Sequence, residues 1–177
     1  MTFRVMRTAL FLVLTALAAG CSRRPARPPA PFDSQRFITT TLQTAAADID
    51  LGVMAARRGR TPETRQLGAV IHRRQLDMQR ALMAIAQQRQ VHLTNAIEPR
   101  KVALRENLEI LPGEVFDRGY ALAMLQDMNA LSAAFQRASK SNDPALATFA
   151  AQYLPRIAEQ RERASRLLSG LGGSPFV

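Results

Sequence analysis

Apolar side chains recur at steps of three and four residues in four long segments of this chain, and this repeat limits the fold more than any other feature. Such a repeat is typical of an amphipathic helix that buries one face. The four predicted helices cover residues 35–58, 62–90, 114–140 and 144–170. Because no segment alternates apolar and polar residues with a period of two, we predict an all-α fold without strands.

Each predicted helix carries one apolar stripe, and we expect the four stripes to pack together into an apolar interior. Polar side chains are expected on the opposite faces, in water or paired with the abundant arginines. The stripes comprise Phe37, Ile38, Leu42, Ala45, Ile49, Val53 and Ala56; Leu67, Ile71, Met78, Leu82 and Ile85; Phe116, Tyr120, Met124, Met128, Leu131, Phe135 and Ala138; and Leu146, Phe149, Tyr153, Ile157, Ala164 and Leu168.

Residues at the ends of these repeats indicate where the helices begin and end. Gly59 is placed to end the first helix, and Thr61 followed by Pro62 is typical of a helix start. The Asp-Pro pair at 143–144 predicts a second start of the same kind. Pro155 lies inside the fourth predicted helix, and we expect it to kink that helix.

The connection between the second and third long helices is much longer than the other two. It covers residues 91–113 and contains a predicted short helix at 98–111, which Pro112 and Gly113 end. A connection of this length can run along the whole bundle and let the second and third long helices run parallel. We therefore predict a ferritin-like four-helix bundle with a long crossover between helices 2 and 3. An up-down bundle with a loose middle loop is the alternative.

The first 21 residues predict the compartment. Arg4 and Arg7 precede an apolar run at residues 8–19, which has the length of a signal peptide and is too short to span a bilayer. The run leads into Leu17-Ala18-Ala19-Gly20-Cys21, which resembles the lipobox of bacterial lipoproteins. The resemblance implies cleavage between Gly20 and Cys21 and acylation of Cys21, which would hold the protein at a membrane.

Ser22 follows the cysteine, and a serine there in Gram-negative lipoproteins implies the outer membrane. We therefore expect a lipid-anchored protein of the cell envelope, on the outer membrane and facing the periplasm. The alternative is an ordinary secretion signal with an incidental cysteine. Cys21 is the only cysteine, so the chain cannot form an intrachain disulfide.

These patterns predict four regions along the chain. Residues 1–20 form the signal peptide, 21–34 a tether rich in proline and arginine, 35–170 the four-helix bundle and 171–177 a disordered tail. Prolines disfavour a helix in the tether and favour an extended, solvated strand.

The formal net charge is +10, and most of the basic residues are arginine. An exported protein rarely meets nucleic acid, so we expect no nucleic-acid partner. Anionic lipids or other envelope polyanions are the expected contacts of an arginine-rich surface, together with an unknown envelope protein. The alternative is a solvated surface that binds nothing specific.

Four short motifs resemble a known family. They are Asp48-Ile49-Asp50-Leu51-Gly52, Phe116-Asp117-Arg118-Gly119-Tyr120, Phe149-Ala150 and Leu154-Pro155. In this order they are similar to a bacterial family of predicted outer-membrane proteins whose function is unknown. The resemblance covers about residues 37–168 and implies a ferritin-like bundle. It implies no activity, because the family itself has no settled one.

The resemblance also implies histidines that this chain lacks. Members carry Asp-His on the second helix, Asp-His on the third and one His on the fourth. The corresponding positions here are Arg74-Gln75, Asp127-Met128 and Gln160, and the only histidines left are His72 and His92. Since no Glu-x-x-His occurs in the chain, we expect neither a di-iron centre nor any other cofactor.

Two metal-binding hypotheses are alternatives to that expectation. Asp48, Asp127 and Glu159 could approach one another, as in a ferritin-like metal-binding protein or a metal-dependent oxidase. Met124 and Met128 lie four residues apart on one helix face, and thioethers suit Cu(I). The favoured interpretation is that the methionines fill the core.

No catalytic constellation is evident in the sequence. Two histidines, one cysteine reserved for acylation and no glycine-rich phosphate loop leave little for nucleophilic or general-base chemistry. We therefore expect a non-enzymatic envelope lipoprotein, with a helical domain that has an interaction or stress-related accessory role.

Overall fold

The computed structural model describes residues 31–91, 93 and 98–172, and within these ranges it contains five helices and no strand. The helices are α1 (Ser34–Arg58), α2 (Pro62–Gln88), α3 (Pro99–Ile110), α4 (Gly113–Ala138) and α5 (Pro144–Gly170). The predicted all-α fold is confirmed. The signal peptide with Gly20 and Cys21, most of the tether, His92 and most of the tail lie outside the described residues.

Side-chain caps begin three of the long helices. Asp33 caps α1 by accepting a 2.9 Å hydrogen bond from the backbone N–H of Arg36. Thr61 caps α2 and Asp143 caps α5, each directly before a proline at the first helical position, as the sequence predicted. Helix α5 continues through Pro155.

The two ends of the bundle establish its topology. At one end, the backbone N–H of Arg60 in the α1–α2 turn donates to Asp117 near the start of α4, at 2.9 Å. At the other end, the Ser34 hydroxyl donates to Asp143 at the start of α5, at 2.7 Å, and Arg89 just after α2 binds the same carboxylate. Helices α2 and α4 therefore run parallel, and the connection that contains α3 spans the bundle. The predicted long crossover is confirmed.

Helices α1 and α2 pack with their backbones unusually close. A side-chain carbon added at Gly52 would lie 2.9 Å from the Gly68 carbonyl oxygen and 2.9 Å from the His72 nitrogen. The same addition at Gly68 would lie 2.6 Å from the Ala56 nitrogen. Because neither backbone can yield, both positions need glycine. This contact fixes the position of α1 along the axis of α2.

The apolar interior is divided into two clusters along the bundle. One lies towards the α4–α5 turn and includes Leu42, Met78, Leu82, Met128, Phe135, Phe149 and Ile157. The other lies towards the α1–α2 turn and includes Leu51, Ala55, Leu67, Ile71, Phe116, Met124 and Ala164. The predicted stripes of the third and fourth long helices are buried throughout.

The predicted stripe of the first helix is wrong beyond Ala45. Ile49 and Val53 are only half-buried, whereas Asp48 and Gly52 are buried. The pattern favoured the larger apolar side chains, but the inner face turns through the positions of a carboxylate and a glycine. Among the described residues, no helix has the length and apolar character needed to cross a membrane.

Candidate functional site

A layer of polar side chains separates the two apolar clusters at the middle of the bundle. We define this polar layer by five residues, namely Asp48, Gln75, Tyr120, Asp127 and Gln160. The Gly52 contact places α1 beside His72 on α2. Asp48 lies one turn earlier on α1 and Gln75 about one turn later on α2, so the two antiparallel helices bring them to the same level.

Asp48 is fully buried, and neither of its oxygens has a hydrogen-bond partner among the described residues. Burial raises the pKa of this carboxyl well above its ordinary value of 3.8. The negative charge of the neighbouring Asp127 raises the pKa further, whereas the Lys101 ammonium lowers it. The prediction of a wholly apolar interior is therefore wrong at this level.

Lys101 reaches the layer from α3. Its ammonium pairs with the Oδ1 atom of Asp127, and both side chains are 14% exposed. The other oxygen of Asp127 has no hydrogen-bond partner among the described residues. The crossover thus supplies the one positive charge next to two carboxyl groups.

Helices α2, α4 and α5 meet through two amides and a thioether. The Gln75 amide nitrogen lies 3.4 Å from the Gln160 amide oxygen and 3.6 Å from the Met128 sulfur. The Gln160 amide nitrogen in turn donates to the Arg156 carbonyl at 3.0 Å. These are the three positions at which the family resemblance implies histidines, and the structure brings them together. Here they carry weakly liganding amides and a sulfur atom instead.

Several buried polar atoms around the layer have no hydrogen-bond partner among the described residues. Besides both oxygens of Asp48 and the Oδ2 atom of Asp127, they are the Gln75 Oε1 atom, the Tyr120 hydroxyl and the Nδ1 atom of the half-buried His72. Burial, and then the charge of Asp48, raises the pKa of Tyr120 well above 10. Burial therefore favours the protonated forms of Asp48 and Tyr120, and the Tyr120 hydroxyl is a poor general base.

The carboxylates of the metal hypothesis do not all meet. Asp48 and Asp127 are neighbours, but Glu159 lies at the surface, where it pairs with Arg74 at 3.4 Å and with Arg163 at 2.8 Å. Nowhere in the described ranges do three His, Cys, Asp or Glu side chains form a group that could hold a metal ion.

The methionines of the Cu(I) hypothesis lie in different parts of the core. Met124 belongs to the apolar cluster near the α1–α2 turn and Met128 to the other cluster, and both are fully buried. Both side chains pack against apolar neighbours, as expected of core methionine.

The motif residues outside the layer hold the helices together. Asp117 accepts hydrogen bonds from the backbone N–H groups of Arg60 and Thr61, both at 2.9 Å, and from the Thr61 hydroxyl at 3.0 Å. Asp50 pairs at the surface with Arg105 of α3, at 2.6 Å. No sequence pattern pointed to Lys101, because one lysine in a solvated connection is ordinary.

A basic surface lies where α2 and α5 pack side by side. We define the α2–α5 face by the arginines that these helices direct outwards or into their seam, which are Arg73, Arg74, Arg80, Arg156, Arg163 and Arg166. The acidic residues of the two helices are Glu63, Asp77, Glu159 and Glu162. Arg73 and Arg80 form no ion pair with any described residue, and Arg156 lies over the Tyr153 ring at 5.0 Å. The face therefore carries an excess of positive charge.

A shallow cavity of about 370 Å³ adjoins one end of this face. Arg163 and Arg166 line it together with Gln66, and Leu67 and Leu167 supply an apolar wall. Glu63 lines the same cavity, so its rim carries charges of both signs beside the apolar wall.

The fold and the buried acid pair define an all-α four-helix bundle of the crossover type. The chain belongs to the DUF4142 family, a domain of unknown function whose profile matches residues 19–167. Its fold is similar to the crystal structure of a DUF305 fragment from Deinococcus radiodurans, with a TM-score of 0.66 and 21% identity over 81% of this chain and 99% of that chain. No curated protein matches the chain.

Proposed function

We propose that this protein is a non-enzymatic accessory protein of the cell envelope, anchored by an acylated Cys21, whose helical domain binds anionic envelope surfaces. The proposed location is the outer membrane, with the bundle in the periplasm. The observation that carries the proposal is the α2–α5 face, where arginines outnumber acids and three of them, Arg73, Arg80 and Arg156, lack an acidic partner among the described residues. Each basic group near an anionic membrane contributes about 1 kcal/mol of attraction.

The non-enzymatic part of the proposal is supported by the placement of the titratable groups. Asp48, Tyr120 and Gln75 are sealed inside the bundle, and Asp127 is covered by its pair with Lys101. A substrate would have to open the bundle to reach them. The surface carboxylates Asp50 and Glu159 form ion pairs with arginines, and this pairing makes them weaker bases.

Vesicle flotation with the mature chain carrying Cys21→Ala, which has no acyl anchor, tests the surface separately from the lipid. We expect binding to vesicles with anionic lipid and little binding to neutral ones, and binding that weakens steeply with salt. The triple variant Arg73→Gln, Arg80→Gln, Arg156→Gln should bind anionic vesicles roughly tenfold or more weakly.

The matched control is Arg57→Gln, Arg100→Gln, Arg137→Gln, which removes the same charge from α1, α3 and α4. Equal losses in the two triple variants would show that net charge, rather than the α2–α5 face, drives binding. Binding that does not respond to salt would contradict the electrostatic mechanism.

Labelling with a fatty-acid analogue tests the anchor separately. We expect incorporation into the wild-type protein and none into Cys21→Ala, which should also leave the membrane fraction. Equal labelling of the two would overturn the lipoprotein assignment while leaving the basic face untouched.

The metal-binding alternative is discriminated by elemental analysis of the purified protein. The carboxyl pair of Asp48 and Asp127 is the feature that favours it. Stoichiometric iron or manganese would replace the non-enzymatic proposal with the metal-dependent one.

A further inference from the structure

We propose that Asp48, Asp127 and Lys101 form a proton-controlled lock that holds the crossover helix α3 over the polar layer. The lock is closed while one proton remains on the carboxyl pair, and it opens when that proton leaves. The proposal concerns the regulation of the bundle and is independent of the anchor and of the α2–α5 face.

Helix α3 is positioned so that it can separate from the polar layer more easily than the other helices. It lies in the crossover against α1 and α4, the two helices that provide the carboxyl groups. Leu108 is its only fully buried residue, and Lys101 and Arg105 join it to Asp127 and Asp50 by ion pairs. A helix with so little buried apolar surface has a low local stability.

The summed charge of Asp48, Asp127 and Lys101 explains why a single proton decides whether the lock is open or closed. With a proton on Asp48, the remaining Asp127 carboxylate and the Lys101 ammonium sum to zero. Once Asp48 ionises, two carboxylates face a single ammonium, and the new charge lies on a side chain that is fully buried. A buried charge without its own counter-charge costs several kcal/mol, so water must reach the pair. Lifting α3 is the least costly path, because every other helix at this level carries a much longer buried face.

Other groups around the pair come from each neighbouring helix. Helix α1 contributes Asp48 itself, α2 contributes His72 and Gln75, and α4 contributes Tyr120 beside Asp127. Helix α3 contributes Lys101, and α5 contributes the neutral Gln160. Arg74 and Glu159 lie beyond the layer, paired with each other at the surface. His72 is the one histidine among the described residues, and because it borders the layer the test includes a variant that removes it.

Hydrogen exchange of the mature protein, measured by mass spectrometry from about pH 5 to about pH 8.5, tests the lock. After correction for intrinsic exchange, we expect peptides that cover α3 to open about tenfold more for each pH unit above the pKa of Asp48. Asp48→Asn keeps the amide neutral at every pH, so its α3 should stay protected across the range. His72→Gln should retain the wild-type dependence.

Lys101→Met provides the second arm. It removes the charge that ties α3 to Asp127, and we expect α3 to exchange faster than in the wild type at every pH tested. The proposal is overturned if Asp48→Asn follows the wild-type pH dependence, if His72→Gln abolishes that dependence, or if Lys101→Met leaves α3 as protected as before.

Discussion

Two aspartates are buried in this bundle in opposite ways. Asp117 accepts three hydrogen bonds from the α1–α2 turn, so its charge is compensated by the groups around it. Asp48 has no hydrogen-bond partner among the described residues, and burial raises its pKa. The same residue type therefore serves as a structural link at one position and as a proton store at the other. The difference arises from the number of donors that reach each carboxylate.

The structural role of Asp117 predicts a large cost of removing it. Asp117→Ala leaves the backbone N–H groups of Arg60 and Thr61 without their acceptor, and we expect a loss of about 3 kcal/mol in the free energy of unfolding. Urea unfolding near neutral pH measures it. The control Asp50→Ala breaks only a solvent-exposed pair with Arg105 and should change stability by less than about 1 kcal/mol. Similar losses in the two variants would contradict the assigned role.

At the scale of the elements, the contact of α1 with α2 depends on two glycines. Because the nearest atoms to a side-chain carbon at Gly68 are backbone atoms of α1, the helices would have to separate to accept one. We expect Gly68→Ala to destabilise the protein by about 3 kcal/mol, despite the better helix propensity of alanine. Thermal and urea unfolding measure the change.

Gly170 offers a matched control for that substitution. It also lies in a helix, but a side-chain carbon there would meet nothing within 4 Å. Gly170→Ala should therefore be neutral or stabilising by up to about 1 kcal/mol. If Gly68→Ala behaved like Gly170→Ala, the close approach of α1 and α2 would be wrong.

The sequence predicts the elements well because local chemistry decides their ends. The capping pairs at 61–62 and 143–144 and the break at 112–113 lie where the helices begin or end, to within one or two residues. Every predicted stripe position of α4 is buried, because six of its seven residues are large and mainly apolar. The long connection alone was enough to predict the parallel run of α2 and α4.

The polar layer could not be derived in the same way. Periodicity assigns Asp48 to the solvent side, since an aspartate counts as polar wherever its helix turns. Its burial depends on the backbone contact between Gly52 and α2, which is a tertiary feature. Lys101 is even less predictable, because its partner Asp127 lies 26 residues away on another helix. Only the family resemblance pointed to positions 75, 128 and 160, and the structure places them in contact.

At the scale of the whole molecule, the buried carboxyl groups and the excess positive charge lie in different parts of the described bundle. The exchangeable proton lies in the polar layer between the two apolar clusters, whereas the excess arginines lie outside on the α2–α5 face. Salt screens exposed charges far more than buried ones. Ionic strength should therefore govern surface binding, while pH should govern the stability of the interior.

Two aspartates with opposite pKa shifts give the pH dependence of stability its sign. The hydrogen bond from Arg89 lowers the pKa of Asp143 below 3.8, so its contribution is present above that value and is lost as the pH falls. The pKa of Asp48 is raised above 3.8, so the folded state keeps a proton that the unfolded chain releases. Stability from Asp48 is therefore complete below 3.8 and is lost as the pH rises towards its folded-state pKa.

These opposite contributions predict a melting temperature that is highest in weakly acidic buffer and falls on both sides. Asp48→Asn should remove the fall on the alkaline side, because an amide carries no proton to lose, and Asp143→Asn should weaken the fall on the acidic side. Thermal unfolding of the three proteins from about pH 2 to about pH 9 measures both limbs, because the acidic limb begins only below 3.8. The alkaline limb would need another origin if Asp48→Asn retained it, and the acidic limb would not belong to the Arg89 pair if Asp143→Asn left it unchanged. Loss of each limb in its own variant would show that the interior acid and the end-of-bundle pair limit the stable range from opposite sides.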